Sequence, residues 1–339
     1  MKRRKKQSLI IFPILLIIIL LFGSLFVFLW NSNQAMDPNN AEIVYLEVPK
    51  GSSSGEIAQL LVGSKLIKSE FAFKIKTRLE NNAPEYKAGY YSLSQAMSMS
   101  EIMEMIKKGS ALTVRFTIPE GYDIKRTTER LVSESLIDAS EFQNQIENGN
   151  FDYYFLSDAP KGKYRLEGYL YPDTYEVFPN ATEEEIINKM LSRFDELFTM
   201  EYKDQLSKSG LTINELITLA SIIEREAILP ADRPIIASVF YNRMKIDMPL
   251  QSCATVQFIL GDQKAKLSLN DIAIDSPYNT YKISGLPPGP ICSPGIESIK
   301  AALNPSQTDY LYFLAKGDGS TVFSTTYEDF LANKAKYIN

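Results

Sequence analysis

The chain has 339 residues, with 36 Lys/Arg, 41 Asp/Glu and no histidine. The missing imidazole excludes Ser-His-Asp and Cys-His nucleophilic catalysis, His-ligated zinc and a histidine general base. Two cysteines are too few for a four-cysteine zinc site or an iron–sulfur cluster, so acid–base chemistry falls to carboxylates, Lys, Tyr or Cys.

Lys2 to Lys6 reads Lys-Arg-Arg-Lys-Lys, and the run from Leu9 to Trp30 carries no charge. About 22 apolar residues at about 1.5 Å each span a hydrocarbon core of about 30 Å. Trp30 closes the run where interfacial aromatics sit. The alternative is a cleaved signal peptide, but its apolar core is shorter, about 7–15 residues, and ends at a small-residue site that is not seen here. The pattern predicts a cytoplasmic basic tail over 1–8, a transmembrane helix over 9–30 and the rest of the chain outside the membrane. With residues 1–30 set aside, 31 Lys/Arg face 41 Asp/Glu, net −10. That balance speaks against nucleic acid as a partner. Residues 31–40 are polar and read as a tether. Cys253 and Cys292 outside the membrane can pair, closing a loop of about 39 residues worth roughly 3–4 kcal/mol, or can stay as two buried free thiols.

The next stretch contains a repeat. Pro49-Lys50-Gly51 returns as Pro119-Glu120-Gly121, Leu61-Val62 as Leu131-Val132, Leu66-Ile67 as Leu136-Ile137, and Ser69-Glu70-Phe71 as Ser140-Glu141-Phe142 with one residue inserted. Each copy reads as a strand, a Pro-x-Gly turn, a helix and a second helix near Ser-Glu-Phe. The strands are predicted over Ile43–Val48 and 112–118. Between the copies a strand is expected over 90–93 and a helix over 98–108, capped by Ser98 or Ser100. Such a unit, taken as 41–160, resembles a LysM-like module, a glycan-binding fold. The plainer alternative is a scaffold that sets the distance of the following region from the membrane.

The region 161–339 carries the chemistry. Leu166-Glu167-Gly168-Tyr169-Leu170-Tyr171-Pro172-Asp173-Thr174-Tyr175 is dense in tyrosines, whose faces can stack on sugar rings; a Tyr-rich core hairpin explains the same residues. A helix is predicted over 213–229, opened by the capping-box pattern Thr212-x-x-Glu215. At about 100° per residue Ile217, Ala220, Ile223 and Ala227 form one apolar stripe. Glu224 falls inside it, while Glu215 and Glu226 fall on the opposite side. Burial disfavours a charged carboxyl, and a buried acid suits general acid catalysis. The alternative is a buried Glu paired with Arg243 or Arg233. Polar, aromatic and Pro/Gly-rich loops follow, of the kind that hold side chains in fixed poses.

Ala220-Ser221-Ile222-Ile223-Glu224-Arg225-Glu226, Phe240-Tyr241-Asn242-Arg243, Leu250-Gln251-Ser252, Tyr278-Asn279-Thr280-Tyr281 and Gly285-Leu286-Pro287-Pro288-Gly289, in this order and spacing, resemble the endolytic murein transglycosylase family, also called YceG-like. The stretch from Leu166-Glu167-Gly168-Tyr169 to Thr174-Tyr175 resembles that family's upstream motif. The resemblance implies an α+β chain: a single N-terminal transmembrane helix, a LysM-like α/β module, then a mainly helical, lysozyme-like catalytic domain. Added strands are expected over 309–315 and Thr321–Ser324.

It further implies a single-pass enzyme of the bacterial inner membrane that acts on peptidoglycan. Such an enzyme cleaves the MurNAc–GlcNAc β-1,4 bond inside nascent glycan strands and leaves 1,6-anhydro-MurNAc ends. It would be a lyase that terminates elongation, with peptidoglycan synthases as partners and no metal or organic cofactor. The family's catalytic Glu aligns with Glu224. Glu167, Tyr169, Thr174, Tyr175, Asn242, Arg243, Gln251, Tyr278, Asn279, Thr280 and Tyr281 are the expected substrate-binding residues, with Glu167 as the other acid. The chain departs from the family at Ser252-Cys253-Ala254, where many members carry an acidic residue and a proline; a Cys253–Cys292 bridge would brace the loops there. Two other readings stay open: a non-catalytic wall-binding scaffold for synthases, and a muramidase-type hydrolase.

Overall fold

The structure, a computed structural model, describes residues 2–49, 51–80, 86–109, 113–264 and 266–337, with side chains from residue 15 onward except residue 18. The side chains of the basic cluster at 2–6, Lys50 of the first turn and Leu112 of the second predicted strand lie outside the described residues. The chain is α+β and forms two compact units, 1–114 and 115–339.

The first unit begins with α1 (Lys2–Asn33), whose described side chains from Leu15 to Trp30 are mostly exposed and apolar. Leu15–Asn33 is long and apolar enough to cross a membrane, consistent with a single-pass anchor. Then come β1 (Ile43–Val48), α2 (Ser54–Gly63), α3 (Glu70–Leu79), β2 (Gly89–Ser94) and α4 (Met99–Lys108). β1 and β2 pair antiparallel, from Ile43 against Ser94 to Val48 against Gly89. Ser53 with Glu56 forms a capping box on α2, and Ser98 with Glu101 forms one on α4, so Ser98 rather than Ser100 caps that helix. Each such cap contributes about 1 kcal/mol by satisfying backbone donors that the first helical turn leaves open. The core of this unit joins Val48, Leu61, Phe73, Tyr91 and Ile106.

The expected tether at 31–40 is partly helix. α1 continues to Asn33, and Asp37 N–H donates to Gln95 O at 3.0 Å. Three side chains hold the end of α1. Lys68 Nζ donates to Asn31 O at 3.4 Å, Ser100 Oγ to Asn33 Oδ1 at 2.6 Å, and Lys76 Nζ to Asn33 Oδ1 at 2.9 Å. Two ammonium groups at a helix C-terminus also complement its dipole.

β3 (Val114–Thr117) crosses the division, and α5 (Ile124–Ser133), α6 (Ala139–Asn148), β4 (Thr174–Val177), α7 (Glu183–Leu197) and α8 (Met200–Ser209) follow. Next come α9 (Ile213–Glu226), α10 (Arg233–Lys245), α11 (Cys253–Leu260), α12 (Leu269–Ile272), α13 (Ile296–Leu303), β5 (Tyr312–Ala315), β6 (Thr321–Ser324) and α14 (Tyr327–Tyr337). β3 pairs with β4, and β5 with β6. The division at 114/115 falls in the leading strand of the second copy, so residues 115–160 pack with the second unit. Leu131, Phe142 and Ile146 of the second copy are buried in the same core as Tyr169, Phe194 and Ile217.

α9 is the central helix: Leu216 to Ile223 are all buried, and it packs against α10 and α13. Thr212 and Glu215 form the predicted capping box. The helix ends at Glu226, three residues earlier than its apolar pattern suggests. Ala227 turns to ψ 114, and Pro230 starts a short 3-10 turn. Proline biases the chain before it away from helix.

Candidate active site

α9 carries Glu224 near its C-terminal end and aims it at the N-terminus of α13. The carboxylate is 7% exposed. Its Oε2 accepts from Ser298 Oγ at 2.7 Å and from Gly295 N–H at 3.2 Å; its Oε1 accepts from Arg233 Nη2 at 3.1 Å. Gly295 is the N-cap of α13, so a backbone donor and the positive end of a helix dipole both face the acid. The pairing with Arg233, weighed against catalysis in the sequence, is therefore present. Burial and an ion partner coexist at this residue.

A second carboxylate shares that guanidinium. Glu120 Oε2 lies 3.9 Å from Arg233 Nη2. Burial and the neighbouring Glu224 charge push the Glu120 carboxyl above its usual range, and Arg233 opposes them. The Pro119-Glu120-Gly121 turn is clamped in place. Gly121 N–H donates to Ser293 O at 2.9 Å, and Ser293 N–H donates to Tyr122 O at 2.8 Å. Gly121 has φ +77, and a Cβ there would lie 3.8 Å from Glu224 Cγ. At Gly295 a Cβ would overlap the Glu120 carboxylate, so a larger residue there would push that side chain from its place. Glu120, Gly295 and Ser298 were not singled out in the sequence. The signal for Glu120 was the repeat itself, which placed an acid in the second turn where the first has Lys50.

Glu167 is in a different place. It is 1% exposed, and its Oε2 accepts from Ile124 N–H at 3.1 Å. Its Oε1 has no hydrogen-bond partner among the described residues. Desolvation pushes its carboxyl up to about 8. It lines a cavity of about 390 Å³ with Tyr164, Lys125 and Phe258. None of its hydrogen bonds reaches Glu224.

The tyrosines of the upstream motif correct the stacking expectation. Tyr169 is fully buried, packed at 5.4 Å on Phe155 and 5.5 Å on Phe194, with its hydroxyl 3.4 Å from Asn214 Oδ1. Tyr175 is buried against Phe116, and its hydroxyl donates to Tyr171 O. Neither ring keeps a face for a sugar; both are core residues, but not of a hairpin, since Tyr169 lies in a turn and β4 pairs with the distant β3. Thr174 is exposed and its hydroxyl meets Thr117 at 2.8 Å; it lines an open cavity of about 650 Å³.

The loop residues brace one another. Asn242 Nδ2 donates to Thr308 O at 2.7 Å and to Tyr310 O at 3.1 Å. Arg243 is buried; its Nε donates to Leu311 O at 2.6 Å and its Nη1 to Leu250 O at 2.8 Å. Asn279 Nδ2 holds Ile272 O and Ile274 O, and its Oδ1 accepts from Tyr281 N–H. Thr280 Oγ1 accepts from Ser252 N–H at 3.0 Å, and Thr280 O from Gln251 N–H at 2.9 Å. Tyr278 packs on Phe258 and Tyr164. Of these loop residues, Gln251 alone is exposed, at a strained φ of +50; such strain persists where surrounding structure over-determines it. Glu226, placed on the polar face by periodicity, is turned inward to Ser252 Oγ and Ala254 N–H at the start of α11. Burial pushes its carboxyl up.

The cysteines do not pair. Cys253 Sγ meets the Tyr281 hydroxyl at 3.1 Å, and the buried Cys292 Sγ donates to Ser221 O at 3.4 Å. Each thiol is engaged by its own local partner, and burial pushes the Cys292 thiol up, the inert form of the group.

Comparison with known proteins decides the lineage. The YceG-like family matches residues 46–336. The chain belongs to this family. It is 35% identical over 332 residues to the endolytic murein transglycosylase of Bacillus subtilis, covering 94% of this chain and 92% of that protein. It is 34% identical to the endolytic murein transglycosylase of Streptococcus pneumoniae R6, covering 91% of this chain and 61% of that longer protein. A crystal structure of a yceG-like protein from Listeria monocytogenes aligns with TM-score 0.59 at 36% identity, covering 86% of this chain and 99% of that one. The YceG-like match takes in both acids that share Arg233.

Proposed function

We propose that this YceG-like chain is a membrane-anchored endolytic lytic transglycosylase that cleaves the MurNAc–GlcNAc β-1,4 bond of nascent glycan strands, leaving 1,6-anhydro-MurNAc ends. The observation that carries the reading is Glu224, a nearly buried acid held from three sides at the N-terminus of α13. In this reading its Oε1, held by Arg233 alone, is the atom that delivers a proton to the glycosidic oxygen as that bond breaks. The same carboxylate then takes the proton of the MurNAc C6 hydroxyl, whose oxygen bonds to the anomeric carbon. Atoms balance without water, so no base is needed to activate one. Glu120 contributes by offering Arg233 a second carboxylate partner.

The fixed loops act as the floor of the site: Arg243, Asn279 and Thr280 hold it, and Gln251 and Thr174 present polar groups to the strand. A LysM-like character for the part before the division at 114/115 and a lysozyme-like catalytic region after it belong to the same proposal, in place of the boundary expected at 160/161. So do an N-terminus on the cytoplasmic side of a bacterial inner membrane, termination of strand elongation and partnership with peptidoglycan synthases.

Hydrolysis is the second reading, and Glu120 favours it, because hydrolytic glycosidases use two carboxylates. Mass spectrometry of products from uncross-linked glycan strands, with Glu224→Gln beside the native protein, separates them. Anhydro ends are lighter than reducing ends by one water. Anhydro fragments from the native chain alone are expected. Reducing-end fragments would replace the proposal by the muramidase reading, and cleavage by the Glu224→Gln protein would remove Glu224 from the mechanism.

A further inference from the structure

α3 has two faces. Ala72 and Phe73 are in the core of the first unit, while Phe71 is 60% and Leu79 71% exposed. Phe71, Ile75 and Leu79 fall at i, i+4 and i+8 and so line one side of the helix. In the second repeat copy Phe142 is the fourth residue of its helix, as Phe73 is of α3, and both are 0% exposed. Phe71 is thus an outward aromatic of the first copy, additional to the buried phenylalanine that the two copies share.

The neighbour of that side is the apolar helix α1. The Phe71 ring lies 6.3 Å from the Phe28 ring. Ile75 and Leu79 share a cavity of about 290 Å³ with Phe26, Leu29 and Trp30. Phe26 and Phe28 are roughly 6 Å and 3 Å deeper along α1 than Trp30, at about 1.5 Å per residue. If Trp30 marks the membrane boundary, α3 stands at or below it. Lys68 and Arg78, exposed near the two ends of α3, suit the phosphates of the headgroup layer.

We infer that the exposed side of α3, Phe71 with Leu79, is seated in the bilayer surface on the C-terminal side of the span, in contact with phospholipid. The partner is the lipid surface because the patch is continuous with the apolar helix and flanked by cations. The inference rests on reading α1 as a membrane span, and the test separates the two.

The full-length chain is reconstituted into vesicles of phosphatidylcholine and phosphatidylglycerol, with and without lipids brominated in the acyl chain. Trp30, the single tryptophan, reports the span in the native protein. Trp30→Phe combined with Phe71→Trp reports α3, and Trp30→Phe with Leu79→Trp is the second reporter; both positions are exposed, so the fold tolerates them. The expected result is blue-shifted emission and a loss of fluorescence in brominated vesicles at positions 71 and 79, comparable to that of Trp30. Quenching of Trp30 by brominated lipid, with positions 71 and 79 quenched only by aqueous acrylamide, would overturn the inference and leave the anchor intact. Absence of lipid quenching at Trp30 itself would overturn the anchor reading and the inference with it.

Discussion

The two copies of the repeat share a frame and differ in what they deliver. In both, a strand leads through a Pro-x-Gly turn into two helices, and Leu61 and Leu131 occupy the same fully buried position. Both turns end on a left-handed glycine, Gly51 at φ +83 and Gly121 at φ +77. A Cβ at Gly51 would meet nothing within 4 Å, whereas one at Gly121 would face Arg225 and Glu224. The first copy spends its turn in open space and turns an aromatic outward. The second sets Glu120 beside Arg233. The frame is a matter of packing, and the chemistry enters through one turn residue and through what the turn is docked against.

The widest gap between the copies should appear in activity. Glu224→Gln should lower cleavage by about 10²–10⁴-fold, as expected for removal of a general acid, measured as the rate of release of new glycan ends. Nothing in the first copy should approach that effect. Stability comes next. Phe142→Ala should cost about 3–5 kcal/mol, as for a buried aromatic truncated in a packed core. Phe71→Ala should stay within about 0.5 kcal/mol, as for an exposed site. Denaturant unfolding of the full chain would decide it, and equal losses at the two positions would dissolve the contrast.

Glu167 sharpens the comparison because it accepts from Ile124, the first residue of the second copy's leading helix. Its carboxyl is raised from 4.5 to about 8 by burial. The folded state therefore holds a proton that the unfolded chain has released, so this group's contribution to stability is full below about pH 4.5 and is lost as pH rises toward 8. Glu167→Gln should flatten the decline of thermal stability across that window. A decline of unchanged slope would assign it to other groups.

Smaller effects test the turns. Gly51→Ala and Gly121→Ala should each cost about 1–2 kcal/mol for the left-handed backbone, but only Gly121→Ala should also slow cleavage. Glu120→Gln should have the mildest effect on folding while moving the pH profile of cleavage, since it removes a charge that competes for Arg233. A profile identical to the native one would make Glu120 a bystander.

Local patterns carried much of this architecture. The capping pair Thr212 with Glu215 and the strand at Ile43–Val48 are legible because each depends on a few neighbouring residues. Glu224 was legible because an acid broke an apolar stripe. What periodicity could not show was the docking of segments far apart in the chain. Glu226 lay on the polar face of its helix, yet the start of α11 comes to meet it. Tyr169 and Tyr175 looked like ring platforms until Phe155 and Phe116 covered them. Glu120 lay in a turn whose neighbours, Ser293 and Gly295, are more than a hundred residues away.

The unpaired thiols have a consequence for how such a chain comes into being. No covalent step separates the unfolded polypeptide from the native one, because Cys253 and Cys292 each settle on a noncovalent neighbour. The fold can therefore be reached without an oxidant, and it should be equally stable with and without a reductant.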